Sequence, residues 1–224
     1  MSETKERPVV TAFGWVPDFA RGLVRDLRVR WAFEEIGRPY DSQLLNAMEP
    51  RPEGYLQWQP FDQVPAFADG PVKFFESGAI LLYLGEQDER LLPASGQSRW
   101  SAISWLFAAL NSVEPSIGAM VSFDLFHADK PWAEGARSAT ASLVERRLKR
   151  LSDALGDTEW LAGDFSIADI AMVTVLENLR HTDMVAGFPN LAAYSERGRQ
   201  RPAYRRALDA QLADFSDQPP HAGE

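Results

Sequence analysis

Residues 59–86 constrain the fold more than any other part of this sequence. Two short runs rich in strand-forming residues, 64–68 and 72–75, flank the dipeptide Asp69-Gly70, and this arrangement predicts a β-hairpin. After Glu76-Ser77 the apolar residues recur at helical spacing, which predicts a helix capped by Ser77. The stretch therefore predicts a strand, a turn, a second strand and a helix.

Two details of this stretch indicate a ligand site. Pro65 opens the first strand of the hairpin, where a proline cannot donate to a central ladder. A cis Val64–Pro65 bond would turn the Val64 backbone outward and leave its N–H and C=O for an extended peptide ligand. Glu76 and Ser77 stand at a helix start, where free N–H groups and the helix dipole favour a carboxylate.

In this order and spacing, Gln63-Val64-Pro65 and the Glu76-Ser77 pair followed by Gly-Ala-Ile resemble the glutathione S-transferase family of the cytosolic, bacterial-like type. The resemblance implies an α/β thioredoxin-like N-terminal domain followed by an all-α C-terminal helical domain. It also implies that the Val64 backbone pairs with the cysteinyl unit of glutathione, and that Glu76 and Ser77 hold the γ-glutamyl end. Gln63 and Pro65 complete the implied glutathione-binding set, with glutathione as the co-substrate.

Composition and charge exclude several classes of function. The net charge of −9 disfavours a nucleic-acid partner, since phosphate binding needs clustered cations, and we interpret the arginines of residues 21–30 as a solvated helix face. The chain contains no cysteine, so thiolate metal sites are excluded and any thiol chemistry must use a ligand's thiol. No uncharged apolar run approaches membrane-spanning length, and the first residues lack the charged stub and apolar core of a secretory signal, so we expect no such signal. We therefore expect a cytoplasmic protein with no membrane partner and no metal.

The order of predicted elements divides the chain into two domains. Residues 9–13 and 40–45 predict strands on either side of a helix that starts near Pro17 or Asp18 and stops at Gly37. We expect a thioredoxin-like glutathione-binding domain at residues 1–86, a linker at 87–98, and an all-helical domain at 99–224 that contributes the electrophile pocket.

The helical domain carries two further local predictions. Pro115 should kink or break the first helix of this domain, because proline lacks the N–H that a helix interior requires. Ser166 and Asp169 have the spacing of a capping box, and we interpret this pair as structural. A Gly-Asp followed by such a box also resembles the buried capping motif of the glutathione S-transferase helical domain.

The catalytic group is less defined than the binding set. A free thiol has a pKa of about 8.5, so the site must stabilise the thiolate. The family does this with Tyr, Ser or Cys near the end of the first strand, whereas this sequence has Phe13 where one branch carries its tyrosine. Trp15 and Arg21 are the remaining catalytic candidates, since Ala-Arg-Gly at Arg21 resembles a segment of that branch in which an arginine stabilises the thiolate. The alternatives are a solvated Arg21, and Trp15 as a wall of the substrate pocket.

Two functions remain open. One is an enzyme, a glutathione S-transferase active in detoxification, that transfers glutathione to a small hydrophobic electrophile or reduces with it. The other is a non-catalytic protein of the same fold that only binds partners. The complete binding set favours the enzyme, and the missing hydroxyl favours the binding protein. Aromatic residues that could form an apolar pocket between the domains are Trp15, Phe19, Trp105, Phe107, Phe123 and Phe126.

The resemblance also implies a homodimer. Trp58, Phe61 and Phe74 lie around the predicted hairpin without obvious roles in a core, and they are candidates for the contact between subunits.

Overall fold

The computed structural model describes residues 6–220. Of these, residues 6–87 and 202–220 form one compact unit, the N-terminal unit, and residues 88–201 form a second, the helical unit. Each unit has its own buried apolar residues.

A four-stranded mixed sheet is the centre of the N-terminal unit. Its strands are β1 (Val9–Phe13), β2 (Asp41–Leu45), β3 (Ala66–Asp69) and β4 (Val72–Phe75), in the spatial order β2-β1-β3-β4. Strand β1 is parallel to β2 and antiparallel to β3, and β3 and β4 form an antiparallel hairpin. The predicted hairpin and the predicted α/β fold of this unit are confirmed.

Helix α1 (Asp26–Ile36) connects β1 to β2 and begins later than the sequence predicted. Only a 3-10 turn, Asp18–Ala20, forms near the expected start. Gly22 follows with φ of 78°, a left-handed conformation through which a right-handed helix cannot continue. The predicted end is confirmed, because α1 stops at Gly37, which has φ of 69°.

Two arginines lie inside the N-terminal unit, and the interpretation of residues 21–30 as a solvated face is wrong at these positions. Arg28 is 2% exposed and Arg30 is 1% exposed. The Arg30 guanidinium donates to the Asp26 carboxylate at 2.7 Å, and this carboxylate is itself buried. Pairing and hydrogen bonding offset the large cost of removing these charges from water.

Three further helices belong to this unit: α2 (Tyr55–Trp58), α3 (Ser77–Gly85) and α9 (Pro202–Asp214). Helix α9 packs along α1, and Arg30 donates to Asp214 at 2.6 Å. The predicted helical domain, residues 99–224, included this last helix, so the structure differs there. The sequence pattern identifies a helix but not the partner on which its apolar face packs.

Two of the three aromatic residues around the hairpin have roles that differ from the prediction. The Trp58 indole N–H donates to the carbonyl groups of Phe67 and Phe74, at 3.1 and 3.2 Å. The Phe74 ring packs edge-on against Phe67 with a centroid distance of 5.2 Å. Trp58 and Phe74 therefore do have core roles, whereas Phe61 is 65% exposed.

The second unit is helical, as predicted. Its α-helices are α4 (Gly96–Phe107), α5 (Glu114–Leu125), α6 (Ala133–Leu155), α7 (Ile167–Leu176) and α8 (Pro189–Arg199). Every residue of α7 is buried, and α4, α5 and α8 all contact it. Helix α7 is therefore the centre of this unit.

A π-helical turn, Ala108–Val113, joins α4 to α5. The Glu114 N–H donates to the carbonyl of Ala109, one residue further back than in an α-helix. The predicted disruption at Pro115 takes this form, and the proline itself lies in the first turn of α5, where its missing N–H is tolerated. By length and composition alone, the helical segment Gly96–Leu125 could cross a membrane. Core helices meet the same criterion, and here α4 and α5 pack on other helices of the unit.

The capping box predicted for Ser166 and Asp169 is present at the start of α7. The Ser166 hydroxyl accepts from the Ala168 N–H at 3.3 Å, and the Asp169 carboxylate accepts from the Ser166 N–H at 2.9 Å. The same carboxylate also accepts from the Leu161 N–H and the Tyr194 hydroxyl, at 3.1 and 2.9 Å. This cluster fixes the central helix of the unit.

Candidate functional site

The segment from Gln63 to Ala66 leads into β3 and contains a cis bond between Val64 and Pro65, as predicted. The Val64 side chain is only 6% exposed and packs with Leu45 and Tyr55. In contrast, the Val64 N–H and C=O form no hydrogen bond with any other residue between 6 and 220. A buried backbone usually pairs its polar groups, so the Val64 N–H can donate to a carbonyl of an extended ligand and the Val64 carbonyl can accept from an N–H of that ligand.

Glu76 and Ser77 form the start of α3. Glu76 has φ of 74° and ψ of 118°, so a residue with a side chain occupies a conformation that favours glycine. Strained backbone of this kind clusters at functional sites. Glu76, and not Ser77 as predicted, is the N-cap, and no side chain caps the helix. The first N–H groups of α3 therefore remain available to an anion.

Arg28 is a site residue that the sequence interpretation missed. Its Nη1 atom donates to the Ser77 hydroxyl oxygen at 3.2 Å, and both residues are buried. A serine hydroxyl has one hydrogen to donate, and because its oxygen accepts from Arg28, that hydrogen can be given to another acceptor. The start of α3 thus combines helix N–H groups, a hydroxyl donor and a buried positive charge, a combination suited to a carboxylate.

Trp15 and Arg21, the two catalytic candidates, lie in the loop between β1 and α1. Trp15 is half-buried. Arg21 precedes the first residue of α1, Asp26, by several positions, and its backbone is extended, with ψ of 129°. Its guanidinium donates to the Ser216 carbonyl at 3.0 Å and pairs with Asp18 at 3.3 Å. The loop is also held by the Ser216 N–H, which donates to the Gly14 carbonyl at 2.8 Å.

A second cation lies at the end of β1. The Arg51 guanidinium stands 5.2 Å from the centroid of the Phe13 ring, and its Nε atom is 2.8 Å from the Asp62 carboxylate. Its side chain is only 10% exposed. Phe13 packs against the apolar cluster that contains Val64, so this cation lies in the same part of the N-terminal unit as the cis bond. No local pattern in the sequence indicated Arg51, since the loop between β2 and α2 has no regular period.

Sequence models of two known domains match this chain. The glutathione S-transferase N-terminal domain matches residues 10–86, and the glutathione S-transferase C-terminal domain matches residues 131–197. The chain is 34% identical over 174 residues to the disulfide-bond oxidoreductase YfcG of Escherichia coli, covering 73% of this chain and 80% of that protein.

Two solved structures have similar folds. One is a glutathione transferase family member from Pseudomonas fluorescens with two glutathione bound, with a TM-score of 0.81, 25% identity, and coverage of 92% of this chain and 94% of that one. The other is a glutathione transferase from Burkholderia graminis with two glutathione molecules bound per subunit, with a TM-score of 0.81, 28% identity, and coverage of 92% and 88%.

Proposed function

Because the chain belongs to the glutathione S-transferase family, we propose that it binds glutathione and uses the bound thiol to modify or reduce a small hydrophobic electrophile. The main observation in support of this proposal is that the N-terminal unit contains two sites with unused hydrogen-bonding groups. The Val64 backbone is open for an extended peptide, and the start of α3 is open for an anion. A tripeptide with a carboxylate at its γ-glutamyl end is suited to both.

Four of the five predicted binding residues then have a role in contact with the ligand, and Pro65 follows the Val64 backbone that meets it. The Val64 N–H and C=O pair with the cysteinyl unit, and the exposed Gln63 side chain lies beside that unit. The N–H groups of α3 and the Ser77 hydroxyl, whose oxygen accepts from Arg28, donate to the γ-glutamyl carboxylate. The exposed Glu76 carboxylate pairs with the ammonium of the same unit.

Cations near the end of β1 would assist the chemistry of the thiol. No Tyr, Ser or Cys stands at the usual position, and the hydroxyl of Thr11 is buried and hydrogen-bonded. Arg21 and Arg51, whose side chain is only 10% exposed, are two positive charges of this region, and a nearby cation favours the thiolate over the thiol. In a conjugation the thiolate attacks an electrophilic carbon, a C–S bond forms, and the leaving group departs with its electron pair.

Thiol–disulfide exchange is a second candidate reaction, and the similarity to an oxidoreductase favours it. The bound thiolate attacks one sulfur of a disulfide, the S–S bond breaks, and the released thiolate takes up a proton. A second glutathione thiolate then attacks the glutathione sulfur of the mixed disulfide, giving glutathione disulfide and a second thiol. The chain has no cysteine, so every sulfur in this scheme belongs to a ligand.

Retention on immobilised glutathione tests the binding, and assays with an aromatic electrophile, a peroxide and a small alkyl disulfide test the reaction. Ser77→Ala should weaken glutathione binding by about 1.5–3 kcal/mol, because a charge-assisted hydrogen bond is lost. Ser195→Ala is the matched control, since the Ser195 hydroxyl is buried without a hydrogen-bond partner among the described residues. Binding without turnover in any assay would contradict the proposed chemistry, and absence of glutathione binding would contradict the proposed function as a whole and favour the non-catalytic alternative, which binds other partners.

We also propose a homodimer, in which the exposed Phe61 side chain contributes to the contact between subunits. Interfaces between subunits are enriched in aromatic residues relative to the rest of the protein surface. A monomeric mass at micromolar concentration would contradict the dimer, and a dimer that Phe61→Ser dissociates would support the role of this residue.

A further inference from the structure

Three hydrogen bonds form a continuous chain around the Gln63–Val64–Pro65–Ala66 segment. The Ala66 N–H donates to the Thr11 hydroxyl oxygen at 2.7 Å. The hydroxyl oxygens of Thr11 and Tyr55 are 3.0 Å apart, and the Tyr55 hydroxyl donates to the Gln63 carbonyl at 2.7 Å. The chain thus joins the residue before the cis bond to the residue after it, through two side chains from distant parts of the sequence.

The number of hydrogens that each group can donate determines the direction of these three hydrogen bonds. A carbonyl oxygen only accepts, so the single hydrogen of the Tyr55 hydroxyl points to Gln63. The bond between the two hydroxyls must then be donated by Thr11 and accepted by Tyr55. Burial raises the pKa of Tyr55, so this hydroxyl keeps its proton and remains a donor. Each of the two hydroxyl groups therefore donates once and accepts once, and we call this series of hydrogen bonds the hydroxyl relay.

The relay begins where the sheet ladder ends. Strands β1 and β3 pair at Val9 with Ala68 and at Val10 with Phe67. The next position would place Thr11 opposite Ala66, but there the Ala66 N–H bonds to the Thr11 side chain. Thr11 is fully buried, and a buried N–H needs a hydrogen-bond partner within the protein. The Thr11 hydroxyl is that partner for Ala66, in place of a backbone carbonyl.

We propose that Thr11 and Tyr55 are positioning residues whose hydroxyl relay holds the Val64 backbone in the orientation that receives a peptide ligand. The inference rests on the proposed binding of glutathione and adds two residues to it that never touch the ligand. The relay fixes Gln63 and Ala66, and Val64 lies between these two anchors. The Val64 side chain packs against Tyr55 in the same apolar cluster, so the relay residue supports both the backbone and the side chain.

Tyr55→Phe removes one hydroxyl and keeps the ring that packs on Val64. The Gln63 carbonyl then has no hydrogen bond from residue 55. Glutathione affinity should fall roughly tenfold, which corresponds to the net contribution of one hydrogen bond. Thr11→Val removes the other hydroxyl at constant shape and should have a similar effect. Thr11→Ser restores the hydroxyl and should recover most of the affinity. The double variant Thr11→Val with Tyr55→Phe should lose less than the two single losses combined, since both act on one chain.

A control and a direct readout separate positioning from general destabilisation. Tyr83→Phe makes the same chemical change in the same unit, where the hydroxyl donates to Asp69 at 2.9 Å at the other end of β3, and it should leave glutathione affinity unchanged. Amide hydrogen exchange by NMR, without any ligand, reports the relay itself. In Thr11→Val the Ala66 amide should exchange roughly tenfold faster or more, while amides at the centre of α1 keep their protection.

The outcomes divide clearly. Weaker binding by Tyr55→Phe and Thr11→Val, with Thr11→Ser and Tyr83→Phe close to wild type, supports the inference. If wild type binds glutathione and Tyr55→Phe binds it equally well, the inference is wrong while the proposed function stands. If wild type does not bind glutathione, the proposed function is wrong, and an unchanged Ala66 exchange rate in Thr11→Val would reject the relay as well.

Discussion

Asp169 should make the protein more stable at mildly acidic pH than at neutral pH, and Asp169→Asn tests this. The carboxylate is fully buried, and it accepts hydrogen bonds from the Ser166 N–H, the Leu161 N–H and the Tyr194 hydroxyl. Burial disfavours its charged form more strongly than these donors favour it, and raises the pKa of Asp169 from 3.8 to about 6.

The sign of the effect follows from proton linkage. Below the ordinary pKa of 3.8 the carboxyl is protonated in both the folded and the unfolded chain, so burial adds no cost of charge. Between 3.8 and about 6 the unfolded chain loses the proton first, and stability falls as pH rises. Each pKa unit corresponds to about 1.36 kcal/mol, so the full cost above that range is about 3 kcal/mol.

The assay is urea unfolding of wild type and Asp169→Asn between about pH 4 and about pH 8. The asparagine does not titrate, so the stability of wild type relative to this variant should rise by about 2.5 kcal/mol as the pH is lowered from about 8 to about 4, where part of the unfolded chain is still ionised. Asp153→Asn makes the same change at a half-exposed carboxylate of the same unit beside Lys149, and its difference from wild type should vary much less. A wild-type advantage that stays constant, or that grows with rising pH, would refute the assignment of the charge cost to Asp169.

Three further substitutions test other parts of the structure. Arg28→Met should weaken glutathione binding by about 1.5–3 kcal/mol, and a double-mutant cycle with Ser77→Ala should show coupling, because the two groups share one hydrogen bond. Arg21→Ala should leave binding nearly intact and raise the pKa of the bound thiol, measured from thiolate absorbance against pH, and an unchanged pKa would assign Arg21 a structural role only. Gly198→Ala would place a Cβ 2.7 Å from a Val173 methyl group, so it should lower the free energy of unfolding by about 1–3 kcal/mol and leave glutathione affinity unchanged.

Local patterns predicted much of the fold. The dipeptide Asp69-Gly70 between two apolar runs was sufficient for the hairpin, and Gly37 was sufficient for the end of α1. The capping box of Ser166 and Asp169 could be recognised because its members are three residues apart and bond to each other. Each of these features depends on neighbours in the sequence.

The parts that the sequence did not predict depend on residues that meet only in the folded chain. Arg28 and Ser77 are 49 positions apart, and Thr11 and Tyr55 are 44 positions apart. An arginine inside a helix is ordinarily a solvated residue, so burial of Arg28 cannot be inferred from its type. One pattern could have indicated it, since the apolar residues Val29, Trp31, Ala32 and Phe33 follow Arg28 closely and lie on different sides of the helix, which is typical of a buried helix turn. The start of α1 was misplaced because the left-handed conformation of Gly22 depends on the whole loop.

An NMR titration of the ¹⁵N-labelled protein with glutathione tests the proposed binding site residue by residue. We expect the amide resonances of Val64, and of Ser77 and Gly78 at the start of α3, to shift the most, since their N–H groups meet the ligand. Ser77→Ala should reduce the affinity while Val64 remains among the shifted residues. No shift at saturating glutathione, or shifts confined to other regions of the chain, would contradict the account.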